Sequence, residues 1–411
     1  MVGGGHSSVS GVQATAYAGR GRRSIAFYCG ANGEPWGPDS LFKGIGGSEE
    51  AVILLSRQFA ELGWDTFVFA TPPAGRAQNY AGVWWIPYQQ FHEFEPSQVF
   101  VAWRSADHAA FAAGSAVVCH WVHDRFDWGY PLEALDSFDR VLMVSEHQAT
   151  SEGLCGVPMQ KRYVSLNGLD EEFLRPPGNN QATRVIYASC PARGLETLLQ
   201  LWPSVRARIP HAQLDVYHGF TAAYADATRM WPGLETIKIR VLRLLDRMAS
   251  HGVTCHGMVG QDQLAEGFAR AGVWAYPTHC RETSCITAMK ALAMGCLPVT
   301  TGMGALRETL GPWDLGPPVT SKIHRSWWQR RLYLRRLLRA MQPEAALSVA
   351  ERRLAGAAWA RERYSWRRIA SEWVREFAAI AAQKPPQKVV TPGMHPSFHR
   401  LRAGEWRGGT D

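Results

Sequence analysis

Polar residues with the chemistry of an anion or sugar site lie before two predicted helices. Arg193 precedes a helix that begins at Gly194, and a guanidinium beside free helix N–H groups can clamp a diphosphate. The polar loop with Glu282, Thr283 and Ser284 lies between a short apolar strand and a second helix, which Thr283 or Ser284 could cap. Such a helix start suits an anion or sugar hydroxyls. For Arg193 alone, a solvated loop arginine is the competing interpretation.

Two further candidate sites lie in the first half of the chain. Gly46 and Gly47 precede a helix, where bare backbone N–H groups could approach a diphosphate; the alternative is a tight turn with an N-cap at Ser48. His120 and His123 lie at the end of a predicted strand, where catalytic groups of open α/β sheets gather. Their spacing could indicate a metal, but no third ligand is placed to complete the site. A buried structural histidine is the main alternative for His123.

Composition limits the classes of protein that fit this chain. Its 411 residues are 46% hydrophobic and 19% charged, which suits a two-domain globular protein. The net charge of +8 favours anionic partners, with simple solubility as the alternative. The 8 cysteines form no Cys-x-x-Cys pair, so we expect no zinc site and a reducing, cytoplasmic location. Aromatic residues do not alternate with basic ones, so we expect no nucleic acid partner.

The elements that must position the candidate residues alternate between strand and helix. The first half opens with a strand, a Gly-rich loop, a helix and a second strand, and the second half repeats strand and helix regularly. This alternation requires mostly parallel sheets covered by helices on both faces. The sequence therefore predicts an α/β protein with two such domains, and a cleft between the carboxyl ends of their sheets.

Short motifs follow one another along these predicted elements. They are Gly46-Gly47-Ser48-Glu49, His123-Asp124, residues 189–194, His256-Gly257-Met258-Val259, residues 276–308 and Tyr364-Ser365-Trp366. Any one of them is weak, but in this order they cover about residues 24–380. Together they resemble the retaining nucleotide-sugar glycosyltransferases of the GT-B fold, specifically glycosyltransferase family 4.

The resemblance implies two Rossmann-like domains, a first that binds the acceptor and a second that binds most of a nucleotide sugar. Arg193 would neutralise the diphosphate as it leaves, and Glu282 would hold hydroxyls of the donor sugar. His123, the second implied catalytic residue beside Glu282, would orient the sugar or the acceptor. The implied donor-binding residues are Gly46, Gly47, Ser189, Arg193, Gly257, Thr283, Ser284, Cys285, Ile286 and Lys290.

The reaction implied is transfer of a hexose with retention of anomeric configuration. UDP- or GDP-hexose would be the co-substrate, and the acceptor a sugar, a lipid-linked glycan or another hydroxyl compound. Positioning would supply much of the catalysis, through same-face attack with an oxocarbenium-like transition state. The chain has no Asp-x-Asp, which fits an enzyme that needs neither a metal nor another cofactor.

Lys290 departs from the family pattern. A glutamate that accepts hydrogen bonds from the ribose usually stands there, whereas a lysine can only donate. Lys290 could instead share the charge of the diphosphate with Arg193, because the family's second basic residue near Arg193 is missing. The departure leaves two alternatives open: a sugar-nucleotide-binding protein without turnover, and a sugar-nucleotide epimerase of the same fold.

The same resemblance, with the turn-rich linker near 175–183, sets the predicted domain limits. We expect a flexible tail over 1–22, a first domain over 23–176, a second domain over 182–363, a crossover helix over 364–382 and a disordered tail over 383–411. A targeting peptide is the alternative for the first tail, which lacks acidic residues. Residues 321–340 are basic and partly amphipathic, so they predict either peripheral contact with an anionic membrane or a helix with a solvated face.

Overall fold

The computed structural model describes residues 23–31, 34–126, 129–151, 153–317, 319–342 and 346–384. Within these residues the chain forms two α/β domains, each built on a sheet of largely parallel strands, as the sequence predicts. The predicted tail over 1–22 lies outside the described residues. Gln383 is the last residue of a helix and Lys384 pairs with Asp139 at 2.7 Å, so the predicted disordered tail begins too early. The rest of that tail is not described.

The first domain is organised by a mixed sheet. Its strands are β1 (Ser24–Tyr28), β2 (Asp65–Ala70), β3 (Gln78–Tyr80), β4 (Val83–Pro87), β5 (Val99–Trp103), β6 (Val117–Val122), β7 (Arg140–Met143) and β8 (Arg162–Val164). They lie in the order β3-β4-β2-β1-β5-β6-β7-β8, and only β3 and β4 pair antiparallel. β5 and β6 are buried along their whole length, as central strands covered on both faces must be. Edge strand β3 is exposed and polar, so it left no hydrophobic signal in the sequence.

The second domain is organised by a smaller sheet. Its strands are β9 (Gln181–Ala188), β10 (Gln213–Tyr217), β11 (Val253–Gly257), β12 (Ala271–Tyr276) and β13 (Leu297–Thr300). They lie in the order β11-β10-β9-β12-β13, and every neighbouring pair is parallel. The order changes direction at β9, which is the kind of point where open α/β sheets bind ligands.

Helices cover both sheets. The first domain contains α1 (Gly47–Glu61) and the short α2 (Glu146–Ala149). The second contains α3 (Leu195–Arg206), α4 (Ala222–Met230), α5 (Gly233–Met248), α6 (Gln261–Arg270), α7 (Ile286–Ala293), α8 (Leu306–Leu310), α9 (Trp327–Ala340) and α10 (Ala346–Arg363). The chain ends its described part with α11 (Trp366–Gln383).

α11 crosses back and packs on the first domain. Its buried side chains recur every three or four residues, which makes one apolar face. Trp373 on that face contacts the rings of Phe27 and Trp121, and its indole N–H donates to Ser165 Oγ at 2.6 Å. Burial of a large side chain of this kind stabilises the fold by about 1.5–3 kcal/mol. Through these contacts α11 packs against the first sheet.

Candidate functional site

The carboxyl ends of strands from both sheets border one cleft cavity of about 390 Å³. Arg104, His123 and Val144 line it directly after β5, β6 and β7. Ser189 and His218 line it directly after β9 and β10. A cavity of this size between two sheets is the usual place for a small ligand in α/β proteins.

Every residue predicted for the site lines this cavity. They are Gly46, Gly47, His123, Ser189, Arg193, Gly257, Glu282, Thr283, Ser284, Cys285, Ile286 and Lys290. The first three come from the first domain and the others from the second. The fold thus brings together residues far apart in sequence, while their roles toward a ligand stay predictions.

The glycine loop before α1 allows the two domains to approach closely. α1 begins at Gly47 with Gly46 as its N-cap residue, so the predicted cap at Ser48 is wrong. The Ser48 hydroxyl donates instead to Glu49 Oε2 at 3.1 Å. A side chain at Gly47 would place its Cβ 3.3 Å from Cδ1 of Ile286, which belongs to α7 of the other domain. Glycine therefore keeps the start of α1 close to the start of α7.

His123 is held against aromatic rings with one ring nitrogen unused. Its imidazole packs edge-to-face against Trp121 with 4.4 Å between ring centroids, and its buried Nε2 has no hydrogen-bond partner among the described residues. Burial, followed by the charge of Arg104 and the neighbouring His120, lowers the pKa of His123 to about 3. The imidazole is therefore neutral near pH 7, and it could exchange a hydrogen bond with a ligand but could not supply charge.

His120 and Arg104 form the structural support of this strand end. His120 is fully buried, with Nδ1 2.7 Å from the Tyr130 hydroxyl and Nε2 3.1 Å from the Arg104 carbonyl. Arg104 binds Asp124 with both Nε and Nη2, at 2.5 and 2.9 Å. Its φ of +63° is an unusual conformation for a residue other than glycine. Sequence reasoning missed Arg104, although a charged residue directly after a buried apolar strand was a usable signal.

Glu282 is the centre of a polar cluster within the second domain. Its buried carboxylate accepts a hydrogen bond from the Tyr276 hydroxyl at 2.6 Å and pairs with Arg193 Nη1 at 3.1 Å. The Tyr276 hydroxyl is also 3.1 Å from Ser189 Oγ. The carboxylate of Glu282 raises the pKa of Arg193 well above its ordinary value. The Arg193 side chain is nevertheless 49% exposed, so its guanidinium is accessible from the cleft.

A glycine turn fixes the backbone of Glu282. Gly304 has φ of +64°, and a Cβ there would lie 2.4 Å from the Glu282 carbonyl oxygen. That carbonyl accepts the backbone N–H of Ala305 at 2.8 Å. Only glycine fits this approach without displacing the loop, because both the left-handed conformation and the close backbone contact exclude a side chain.

The hydroxyls next to Glu282 bridge the domains and do not cap a helix. α7 begins at Ile286 with Cys285 as its N-cap residue, so the predicted cap at Thr283 or Ser284 is wrong. Thr283 Oγ1 donates to the His123 carbonyl at 3.1 Å. Ser284 Oγ accepts from Asn167 Nδ2 at 3.2 Å. Both hydroxyls are therefore occupied by partners across the cleft.

Lys290 is buried in a second cluster that joins the domains. Its Nζ lies 2.7 Å from Glu50 Oε2, 2.7 Å from Gln261 Oε1 and 4.7 Å from the centroid of the Phe173 ring. Burial raises the pKa of Glu50, and the neighbouring charge of Lys290 opposes that shift. Lys290 therefore already has protein partners at the cleft. The sequence analysis did not predict the partners of Lys290, which are Glu50, Gln261 and Phe173, because nothing in their local sequence links them to position 290.

Neither a metal site nor a membrane span was found where the structure is described. No three His, Cys, Asp or Glu side chains of the described residues are grouped as metal ligands would be. In the same part of the chain, no helix combines the length and the apolar composition needed to cross a bilayer.

By sequence, the chain matches no known protein family and no curated protein. Its fold is similar to that of sucrose-phosphate synthase from Thermosynechococcus elongatus, with a TM-score of 0.62 and 16% identity over 88% of this chain and 100% of that one. HepE from Anabaena in complex with UDP and glucose gives 0.61 and 14%, over 87% and 100%. The catalytic domain of starch synthase IV from Arabidopsis thaliana, bound to ADP and acarbose, gives 0.61 and 12%, over 88% and 100%. The chain thus has the GT-B fold, as predicted.

Proposed function

We propose that this protein is a retaining glycosyltransferase of family 4, which moves a hexose from UDP- or GDP-hexose to an acceptor hydroxyl. The observation that carries the proposal is the meeting of every residue predicted for the site on one cleft between two Rossmann-like domains. The structurally similar HepE was solved with UDP and glucose, which supports a nucleotide sugar as the ligand of such a cleft. The protein would work in the cytoplasm.

In this proposal Arg193 and Glu282 of the second domain bind the two groups that the breaking bond joins, the diphosphate and the hexose. Arg193 would stabilise the leaving diphosphate, because its guanidinium stays charged and is half exposed to the cleft. Glu282 would accept hydrogen bonds from sugar hydroxyls, with the Tyr276 hydroxyl fixing its orientation at 2.6 Å. The backbone N–H groups of Gly46 and Gly47 would approach the diphosphate from the first domain.

His123 would position the reacting groups. Its neutral ring and unpaired Nε2 suit a hydrogen bond with the sugar or with the acceptor hydroxyl. Attack on the face from which the diphosphate leaves would retain the anomeric configuration. The acceptor, a sugar, a lipid-linked glycan or another hydroxyl compound, would enter from the first domain. We propose that no metal is required, because Arg193 offers the positive charge at the diphosphate.

Thermal-shift screening of nucleoside diphosphates and their sugars tests the proposal first, because a ligand that binds the folded state raises the melting temperature. Donors that bind are then assayed for transfer to a panel of acceptors, with and without EDTA, and the anomeric configuration of the product is read by NMR. We expect transfer with retention, unaffected by EDTA. Glu282→Ala should abolish it, whereas the control Glu266→Ala, which changes an exposed residue of α6, should not.

The same assays separate the alternatives. Binding without any turnover would favour a sugar-nucleotide-binding protein. Conversion of the sugar nucleotide to its epimer would favour an epimerase. Absence of binding to every nucleotide tested would contradict all three functions.

We also propose that α9 makes peripheral contact with an anionic membrane. Trp327 and Trp328, at its start, are 73% and 53% exposed, and Arg331, Arg335 and Arg336 are exposed along it. Exposed tryptophans beside arginines suit the interface of an anionic bilayer.

Sedimentation with phosphatidylcholine vesicles, with and without phosphatidylserine, tests the membrane contact. We expect binding only to the anionic vesicles and its loss in Trp327→Ala/Trp328→Ala. The control Trp231→Ala changes an exposed tryptophan of the same domain and should bind as the wild type does. The proposal would be contradicted if the wild type and both variants sedimented equally with the anionic vesicles, or if the wild type did not bind them.

A further inference from the structure

A buried carboxylate oxygen at the domain interface has no hydrogen-bond partner within the part of the chain that the structure describes. Glu50, on α1 of the first domain, is 2% exposed and lines the cleft cavity. Its Oε2 accepts a hydrogen bond from Lys290 Nζ at 2.7 Å, whereas its buried Oε1 accepts none from any described residue. A buried acceptor without a donor destabilises the fold, because the hydrogen bonds it made to water are not replaced. Because Glu50 is a lining residue of the cavity, a ligand bound there could supply the missing donor.

Lys290 fixes the direction of that carboxylate. Its own ammonium is held by Gln261 Oε1 at 2.7 Å and lies over the Phe173 ring. The ammonium therefore has little freedom to move, and the carboxylate that it binds through one oxygen keeps the other oxygen in place. An acceptor held in this way is already oriented before a ligand arrives.

The unpaired buried polar atoms of the cleft all come from one domain. Among the described residues that line it, the buried side-chain atoms without a partner are Glu50 Oε1, His123 Nε2 and Asn167 Oδ1. All three belong to the first domain, while the carboxylate of Glu282 and the ammonium of Lys290 in the second domain have protein partners. Unused hydrogen-bonding capacity at the cleft is therefore concentrated in the first domain.

The chemistry of Glu50 limits what can bind it. A carboxylate accepts hydrogen bonds and repels phosphate, so its partner is a hydroxyl or an N–H group. The proposed ligand carries many hydroxyls, on its ribose and on its hexose. A charged acceptor binds a hydroxyl more strongly than a neutral one does, which suits a site that must recognise sugars.

We propose that Glu50 is a donor-binding residue whose Oε1 accepts a hydrogen bond from a hydroxyl of the nucleotide sugar, on its ribose or on its hexose. The proposal rests on the function proposed above and adds to it a first-domain contact with the donor. Glu50 and Lys290 lie in different domains, so the ion pair that orients Glu50 toward the donor forms only when the two domains are closed on each other. Binding of the donor is thereby coupled to closure of the cleft.

Calorimetric titration with UDP, GDP and their 2′-deoxy and 3′-deoxy analogues tests the ribose. A UDP-hexose and its deoxyhexose analogues test the hexose in the same way. In the wild type, the analogue that lacks the bound hydroxyl should bind about tenfold to a hundredfold more weakly. Glu50→Gln should reduce this discrimination strongly. Glu61→Gln, which changes an exposed residue of the same helix, should keep it.

A second variant guards against misfolding. Glu50→Gln leaves Lys290 without its counter-charge, whereas Glu50→Met/Lys290→Met removes both charges and leaves none unpaired. This double variant should fold, as checked by circular dichroism. It should bind the deoxy analogues as tightly as it binds the parent nucleotides.

Three results would overturn the role of Glu50. They are discrimination that persists in a folded Glu50 variant, equal binding of every deoxy analogue by the wild type, and no nucleotide binding by the wild type. The third result would also contradict the proposed function. The first two, with tight binding of the parent nucleotides, would leave that function intact and reject only the Glu50 contact.

Discussion

Two acid–base pairs line the same cleft and differ in origin and burial. Arg193 and Glu282 both come from the second domain, and the Arg193 side chain is 49% exposed. Lys290 and Glu50 come from opposite domains, and their side chains are only 4% and 3% exposed. Both pairs have short contacts, 3.1 Å in the first and 2.7 Å in the second. The exposure of the cation, more than the contact distance, separates them.

The difference shows how one cleft can use the same chemistry for two purposes. The Arg193 guanidinium is partly hydrated, so turning from Glu282 to a phosphate costs it less than a buried cation would lose, and the Glu282 carboxylate keeps its hydrogen bond from Tyr276. A buried lysine has lost its water, and leaving its carboxylate would expose two charges to an apolar interior. Arg193 is therefore suited to exchange partners during a reaction, whereas Lys290 is suited to hold two domains and one carboxylate in place.

Breaking the buried pair should give the largest effect. Lys290→Met leaves Glu50 buried without a counter-charge, so we expect the free energy of unfolding to fall by about 3–5 kcal/mol. Chemical denaturation measures this loss. The double variant Glu50→Met/Lys290→Met should recover most of it, because no charge is left unpaired. A single variant as stable as the wild type would show that the pair does not hold the closed cleft together.

Breaking the pair whose cation is exposed should act mainly on binding. In Arg193→Gln we expect nucleoside diphosphates to bind about tenfold to a hundredfold more weakly, because a charged hydrogen bond to phosphate is lost. The free energy of unfolding should fall less than in Lys290→Met, because the buried Glu282 carboxylate keeps the hydrogen bond from the Tyr276 hydroxyl. Titration calorimetry measures the change in affinity, and chemical denaturation measures the change in the free energy of unfolding. Large destabilisation with unchanged binding would reverse the distinction between the pairs.

A smaller effect of pH should come from His123, on the wall of the same cleft. Its pKa is lowered to about 3 in the folded protein, whereas an unfolded histidine has about 6.5. The unfolded chain therefore binds more protons between these values, and stability present above about pH 6.5 is lost as the pH falls. We expect about 1 kcal/mol between about pH 6 and pH 5.

The comparison with His123→Asn isolates this contribution. The buried His120, whose pKa is lowered to about 4, contributes to the pH dependence of both proteins. Denaturation at a series of pH values should give a shallower slope for the variant than for the wild type. Identical slopes would show that His123 does not become protonated on unfolding in this range.

The sequence prediction succeeded where a signal is local. Apolar runs that alternate with segments of helical periodicity predicted parallel sheets, and the place of His123 at the end of a strand predicted it at the cleft. Helix caps were predicted less well. The Ser48 hydroxyl forms a hydrogen bond with Glu49, and the hydroxyls of Thr283 and Ser284 form hydrogen bonds with groups of the first domain. These hydroxyls therefore do not cap the helices beside them. A hydroxyl near a helix start has several competing partners, and sequence does not rank them.

The sequence by itself determined that the chain folds as two α/β domains and which loops face the cleft, because the alternation of strand and helix places strand ends together. It also marked position 290 as unusual. Only the tertiary structure decided that Lys290 pairs with Glu50, 240 positions earlier in the chain, and that the carboxylate has one oxygen left unpaired. Such a pairing depends on how two separately folded sheets close on each other, and no local pattern of residues records that geometry.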